Sequence, residues 1–414
     1  MNRKLKIAVF HNLPAGGAIK ALQDNLNFLK KDGHYVDIYT TDTSNNSFLS
    51  LKEFCDNYYV FHIKRSKFRK NILKLIEKLI PSYKFEDISR VAINYGDFKN
   101  TQKKIAEEID NGGYDFVLIE QDFLFSLTPD ITKYIKTLKI YYCDQPSRSS
   151  EEILKKLNPV KLPFYLKFYS KLINDKYLKL DIENAQNVDY ILCNSYFTHE
   201  NILKIYGMNS SVSYLGINTK QFHAQKISRE NVVLSVGSIT PTKGFDFLIK
   251  SIAKVDINIR PKFLIVGYLS DVNWTNYLKS LARDLNVELE ILSGISYDEL
   301  IKIYNEVKLV LFAPYLEPFG LVPLEAAACG TPVIGVKEGG VKETVKHGKT
   351  GLLVERDEYM FAEGIVEMLT NYDLWNKCSD YSPKYVEDFW TINYAGKRLL
   401  NSIYKILDEE EARD

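Results

Sequence analysis

Two carboxylates at a fixed spacing stand out in the string Pro314-Tyr-Leu-Glu-Pro-Phe-Gly-Leu-Val-Pro-Leu-Glu-Ala-Ala-Ala-Cys-Gly-Thr-Pro-Val-Ile-Gly335. Glu317 closes a loop, and Glu325 is expected about two helical turns further on, with Ala326, Ala327 and Ala328 packing behind it. Phe319, Gly320, Leu321 and Val322 between them open that helix and present backbone N–H groups, a ready anion site. Such a turn suits a ligand whose phosphate rests on the amides and whose hydroxyls bond to the two acids, which is the shape of a nucleotide-sugar site. Taken alone, the pair reads first as a βα turn with two acids on a solvated helix face.

The elements that must hold these residues follow from the apolar pattern. With 414 residues the chain suits two domains. Short apolar runs alternate with helical patterns, as expected of parallel sheets flanked by helices. Strands are expected at Ile7–Phe10, Tyr35–Tyr39, Phe116–Ile119, Lys139–Cys143, Tyr190–Cys193 and Val212–Tyr214 in the first half. In the second half they are expected at Val232–Val236, Lys262–Val266, Glu288–Leu292, Leu309–Phe312, Val333–Val336 and Gly351–Val354. The polar stretch Asn218–Glu230 reads as the linker.

Formal charge is +1, which gives no sign of a nucleic-acid binder. Residues 1–225 hold 32 Lys and Arg against 25 Asp and Glu, and residues 226–414 hold 22 against 28, so the halves carry +7 and −6. The five cysteines are scattered without metal-ligand spacing and read as free thiols of a reducing compartment. Met1-Asn-Arg-Lys-Leu-Lys leads straight into a strand-length apolar run, and no stretch has the ~20 apolar residues of a membrane span. The expected location is cytoplasmic.

The whole string, Glu-Pro-Phe-Gly, seven residues between the two acids, then Cys-Gly-Thr-Pro-Val, resembles the signature of the family 4 retaining nucleotide-sugar glycosyltransferases. That family implies an α/β fold of GT-B type, with two Rossmann-like domains facing across a cleft. The domains expected here are 1–222 for acceptor binding and 223–389 for the nucleotide sugar, with 390–414 crossing back to the first. Ser235-Val-Gly-Ser-Ile-Thr-Pro-Thr-Lys-Gly244 after a strand resembles the family's donor loop, in which Lys243 clamps the diphosphate. Ser238 stands where most members have an Arg. Leu264-Ile-Val-Gly267 and Leu292-Ser-Gly-Ile295 are further family-like marks, with Gly294 and Ile295 placed toward the nucleobase.

In the N-terminal half, His11-Asn-Leu-Pro-Ala-Gly-Gly-Ala-Ile19 resembles the family's Gly-Gly loop, where Gly16 and Gly17 let backbone amides approach the donor phosphate. Tyr141-Tyr-Cys-Asp-Gln-Pro-Ser-Arg148 resembles a motif of lipid-linked-oligosaccharide and cell-envelope mannosyltransferases, with Asp144 where the family has a sugar-contacting His. His11 and His199 are alternatives for that role, and Arg148 is a substitute for the charge missing at Ser238.

The resemblance implies retaining transfer of a mannose- or glucose-type hexose to a glycan or lipid-linked acceptor in cell-envelope polysaccharide or glycoconjugate synthesis. Glu317, Lys243 and Asp144 would be catalytic, and Glu325 would hold the ribose. No cofactor or metal is implied. Other readings are a different GT-B enzyme, such as a nucleotide-sugar epimerase or phosphorylase, and a non-catalytic sugar-nucleotide scaffold. Lys64–Lys84, with eight cations and one acid, and Lys161–Lys179, with five Lys among aromatics, point to an anionic membrane surface as a partner, placing the protein peripherally on the inner face of the cell membrane.

Overall fold

The computed structural model describes residues 3–13, 16–44, 49–63, 95–122, 128–146, 164–267 and 272–413. The stretch Lys64–Lys84, Arg148 and residues 161–163 lie outside them, as do the side chains of 164–174. The described residues form two compact units, the first taking in those up to Tyr214 together with Ala395 onward, the second Leu215–Tyr394.

Each unit is built on one parallel sheet. The first has seven strands, β1 (Lys6–Asn12), β2 (Tyr35–Thr41), β3 (Asn57–Phe61), β4 (Phe116–Asp122), β5 (Lys139–Cys143), β6 (Tyr190–Cys193) and β7 (Ser211–Val212), in the order β3-β2-β1-β4-β5-β6-β7. The second has β8 (Glu230–Val236), β9 (Lys262–Val266), β10 (Leu289–Leu292), β11 (Val307–Phe312), β12 (Val333–Val336) and β13 (Gly351–Val354), in the order β10-β9-β8-β11-β12-β13. Strands covered by helices on both faces read as continuous apolar runs, which is why their positions follow from sequence. The strand β3 is an addition at the sheet edge. Its Tyr59 and Val60 are exposed, so it lacks the buried signature of the others.

One face of the first sheet buries Ala8, Phe10, Val117, Ile119 and Tyr141 against Ile105 and Ile109 of the helix Tyr95–Asn111. In the second unit, Val233, Phe263, Ile265, Leu309 and Leu311 pack against Phe245, Leu248 and Ile252 of the helix Phe245–Ala253. Both strand orders reverse direction at one place, between β1 and β4 and between β8 and β11. The strand ends on either side of such a reversal diverge and leave room for a ligand.

The units divide at 214/215 and 394/395, where the sequence suggested 222/223 and 389/390. Residues 215–222 stay with the second unit because the Ile217 N–H donates to the Trp390 carbonyl (2.6 Å), the Ile392 N–H donates to the Ile217 carbonyl (3.1 Å), and buried Phe222 packs on Tyr304. The stretch expected as a linker is packed as well. Its Arg229 guanidinium donates to the carbonyls of Tyr304, Val307, Cys329 and Gly330 and to the Thr331 hydroxyl, at 2.6–3.1 Å. From Ala395 the helix Ile392–Glu411 belongs to the first unit, pressing Gly396 so closely on Phe28 that a Cβ there would lie 2.0 Å from the ring.

Arg229→Ala leaves four backbone carbonyls without their charged donor and is expected to destabilise the second unit by about 3 kcal/mol. Arg229→Lys should not rescue it, since an ammonium cannot span the same acceptors. A urea-unfolding midpoint equal to wild type in Arg229→Ala would remove this role.

Candidate nucleotide-sugar site

The turn after β8 is shaped by three glycines. Gly267, following β9, sits so close to the Gly237 carbonyl that a Cβ would come within 1.9 Å. Gly237 (φ 157°) and Gly244 (φ 69°) hold backbone conformations that favour glycine, and a Cβ on Gly244 would lie 2.1 Å from the Ala313 carbonyl. The loops after β8 and β11 are thereby pressed together, and the Tyr315 N–H donates to the Thr242 carbonyl (2.8 Å). Lys243 Nζ then donates to Glu317 Oε2 at 2.9 Å, with about a quarter or less of either side chain exposed. Two residues singled out separately in the sequence thus form an ion pair at the reversal point of the second sheet.

The loop carrying Glu317 is fixed from behind. The Gly340 N–H donates to the Glu317 carbonyl (2.8 Å), and Gly339 packs so tightly that a Cβ would stand 2.4 Å from that oxygen. Arg356 donates through Nε and Nη2 to Glu338 (both 2.9 Å), caps the carbonyls of Ala313 and Pro314, and stacks 3.9 Å from the Tyr315 ring centroid.

The helix Leu321–Ala328 begins at Gly320 (φ 102°), with no side chain capping it and no acid in its first turn. Its N-terminal amides and dipole therefore stay available to an anion. Because the helix starts only at Leu321, Glu325 lies about one turn inside it, a correction to the two turns expected. Glu325 Oε2 accepts from the hydroxyl of buried Tyr304 at 2.8 Å. Burial and the Glu325 charge push the Tyr304 phenol well above its ordinary value, which keeps it a donor. The Phe319 side chain is buried against Trp390 (5.7 Å between ring centroids), which leaves its backbone, the group expected to meet an anion, for the site. Ser238 and Ile295 are half-buried in the loops after β8 and β10.

In the first unit, Gly16 (φ 144°) caps the helix Gly17–Lys31 after β1. Asp144 follows β5, and its Oδ1 accepts from Asn194 Nδ2 (3.2 Å). Burial raises its carboxyl to about 6, and it sits beside buried Glu120, whose carboxyl burial and the Asp144 charge raise further. His11 is wholly buried at the end of β1, and burial lowers it to about 4. His199 is bound to Ser210 through Nδ1 (3.0 Å to both the carbonyl and Oγ) and serves local structure. Tyr304, Arg356 and Glu120 were not singled out in the sequence. Only Glu120 left a trace there, an acid ending the apolar run Phe116-Val-Leu-Ile-Glu120.

Residues 217–385 match the family model described as "Glycosyl transferases group 1". An uncharacterised glycosyltransferase of Methanocaldococcus jannaschii is 30% identical over 187 residues, 44% of this chain and 47% of the relative. A D-inositol 3-phosphate glycosyltransferase of Rhodococcus jostii is 38% identical over 134 residues, 31% of this chain and 30% of the relative. The matches thus span about half the length of the curated relatives or less. Across whole chains the fold is that of GT-B glycosyltransferase structures. Sucrose-phosphate synthase from Thermosynechococcus elongatus aligns with a TM-score of 0.73 at 18% identity, over 98% of this chain and 100% of that one. The Anabaena protein HepE, solved with UDP-glucose, aligns with a TM-score of 0.71 at 16% identity, over 97% and 100%.

A carboxyl raised by burial contributes stability while protonated, fully below its ordinary value of 3.8, and loses that contribution as pH rises through about 6. Wild-type stability is therefore expected to fall between pH about 4 and 6 through Asp144. Asp144→Asn should flatten that slope, leaving the part due to Glu120. Denaturant midpoints across the range with identical slopes in both proteins would contradict the assignment.

Proposed function

We propose that this chain, which carries a group 1 glycosyl transferase domain in a GT-B fold, is a retaining glycosyltransferase that takes a hexose from a nucleoside-diphosphate sugar. The observation that carries the reading is the Lys243–Glu317 pair at 2.9 Å beside the uncapped helix that bears Glu325. The second unit takes the donor. Its diphosphate meets Lys243 and the amides at Leu321 and Val322, while Glu317 and Glu325 accept bonds from the sugar and ribose hydroxyls.

As the bond between the anomeric carbon and the diphosphate oxygen breaks, negative charge grows on that oxygen, where Lys243 and the helix dipole stabilise it. The departing diphosphate then takes the proton of an acceptor hydroxyl on the same face, and that hydroxyl oxygen forms the new glycosidic bond with retention. Asp144, a residue of the first unit, is proposed for the sugar-contacting role. Being near its titration point, it can donate or accept, as the family His would. No cofactor enters this scheme.

Release of UDP from UDP-glucose, alongside a panel of other nucleotide sugars with a membrane lipid extract as acceptor source, tests the reading. Lys243→Ala should add about 2–4 kcal/mol to the barrier. Glu325→Ala should raise the donor KM about tenfold or more, and Tyr304→Phe should raise it less while sparing kcat, since it loses one hydrogen bond behind Glu325. Donor binding without turnover across the panel would favour the sugar-nucleotide scaffold instead.

The acceptor is proposed to be a glycan or lipid-linked saccharide of the cell envelope, reached from the cytoplasmic leaflet. Support comes from the +7 balance of the N-terminal half and from the basic aromatic stretches. No helix among the described residues is long and apolar enough to cross a membrane. Wild type should sediment with anionic vesicles at low salt, and the K67E, R69E, K70E and K74E combination should not. Equal sedimentation of both would withdraw the attachment.

A further inference from the structure

We infer that Cys143 and Cys193 form a redox staple in the first unit, two thiols that a small peroxide converts into a disulfide joining β5 to β6. The parallel register of these neighbouring strands pairs the two directly, Tyr142 with Leu192 and then Cys143 with Cys193. Residues paired in this way point to the same face of a sheet, and both cysteines belong to one core cluster, together with Tyr141 and Ile191 two residues before them. Adjacent strands lie about 4.8 Å apart, within the roughly 4.4–6.8 Å between Cα atoms that a disulfide spans. The other three cysteines lie outside the strands. Cys55 closes the short helical turn Lys52–Phe54, Cys329 ends the helix Leu321–Ala328, and Cys378 is inside the helix Tyr372–Phe389.

Both side chains are buried, and the two differ in how an oxidant reaches them. Burial holds the Cys143 thiol well above its ordinary value, so it does not start the reaction. Cys193 is nearer the sheet edge. Its Sγ donates toward the carbonyls of Ser195 (3.5 Å) and Ser211 (3.7 Å) and lies 3.5 Å from Ser210 Oγ. Ser211 is exposed and begins β7, a strand of only two residues at the end of the sheet. A strand that short is among the first parts of a sheet to open locally. Its opening uncovers Cys193 and leaves Cys143, one strand further in, covered.

The Cys193 thiolate then attacks one oxygen of hydrogen peroxide. The O–O bond breaks, and the hydroxide released takes the proton of the thiol and leaves as water. Cys143 sulfur attacks the sulfenic acid so formed, the S–S bond closes, and the sulfenic hydroxyl leaves with the Cys143 proton as a second water. The two sulfurs give up two electrons and two protons, and the peroxide is reduced to two waters. The new bond stands immediately before Asp144 and Asn194, where Asn194 Nδ2 already donates to the Asp144 carbonyl (3.0 Å) and Oδ1 (3.2 Å). It ties the two strand ends together and closes the chain from 143 to 193 into a loop, which removes conformational freedom from the unfolded state.

The test uses the full chain, folded and at neutral pH. Wild type is treated with hydrogen peroxide, with or without later dithiothreitol, then quenched in denaturant with an alkylating reagent, digested and mapped by mass spectrometry. Peptides carrying Cys143 and Cys193 are expected to be linked after peroxide and separate after dithiothreitol. The linked protein should unfold about 5–10 °C above the reduced one. C143A and C193A should show no such rise on the same treatment, and they carry whatever peroxide does to the methionines. Each variant is compared with its own reduced form, so a lower starting Tm in an alanine variant does not obscure the result. The C55A, C329A and C378A combination should keep both the link and the rise. Alkylation of both Cys143 and Cys193 after peroxide, a link from either to another cysteine, or an unchanged or lowered Tm in the linked protein would overturn the staple.

Discussion

The approach of Gly244 to the Ala313 carbonyl is the constraint on which the loop arrangement of the second unit depends. No side chain fits between them, with a Cβ held to 2.1 Å, so the loops after β8 and β11 lie backbone against backbone. That contact sets the reach of Lys243 and the position of Glu317, which sit 74 residues apart in sequence and 2.9 Å apart in space. Gly267, Gly339 and Gly340 repeat the device on the other sides of the same loops. The charges are held by main chain, and main chain loses little entropy when a ligand arrives.

How each part of the fold announces itself in sequence follows from its neighbours. Strands β5, β6, β9, β12 and β13 occupy their expected residues because a strand covered on both faces has to be a continuous apolar run. The edge strand β3 went unread, since none of its five residues is buried. Lys243 and Glu317 each stood out in the sequence by local spacing, but their pairing across 74 residues did not. Tyr304 behind Glu325, Arg356 beneath Tyr315, and the meeting of Glu120 with Asp144 arise from chain crossings that no local pattern encodes. The helix opens at Leu321, within the Phe319–Val322 stretch expected to open it, and Gly320, at φ 102°, stays outside.

The two units treat buried polarity differently. In the second, Arg229 and Arg356 spread their donors over backbone carbonyls, and the Tyr304 hydroxyl is taken by Glu325. In the first, His11 Nε2 is buried at the end of β1 without a partner, and Asp144 lies beside buried Glu120. Donors spread over main-chain carbonyls hold the loops of the second unit against a fixed frame.

The helix Ile392–Glu411 has a consequence for how the chain reaches its fold. From Ala395 it completes the first unit, with Gly396 on Phe28, Arg398 Nε donating to the Tyr214 carbonyl (3.3 Å) and Tyr404 to that of Arg3 (3.0 Å). Leu399, Leu400, Ile403 and Ile406 are buried along it. Leu215–Tyr394 is contiguous among the described residues, so it can close its core as soon as it leaves the ribosome. The first unit, though made earlier, must wait with an apolar groove uncovered until this helix is synthesised, which makes the nascent N-terminal half the segment most in need of a chaperone.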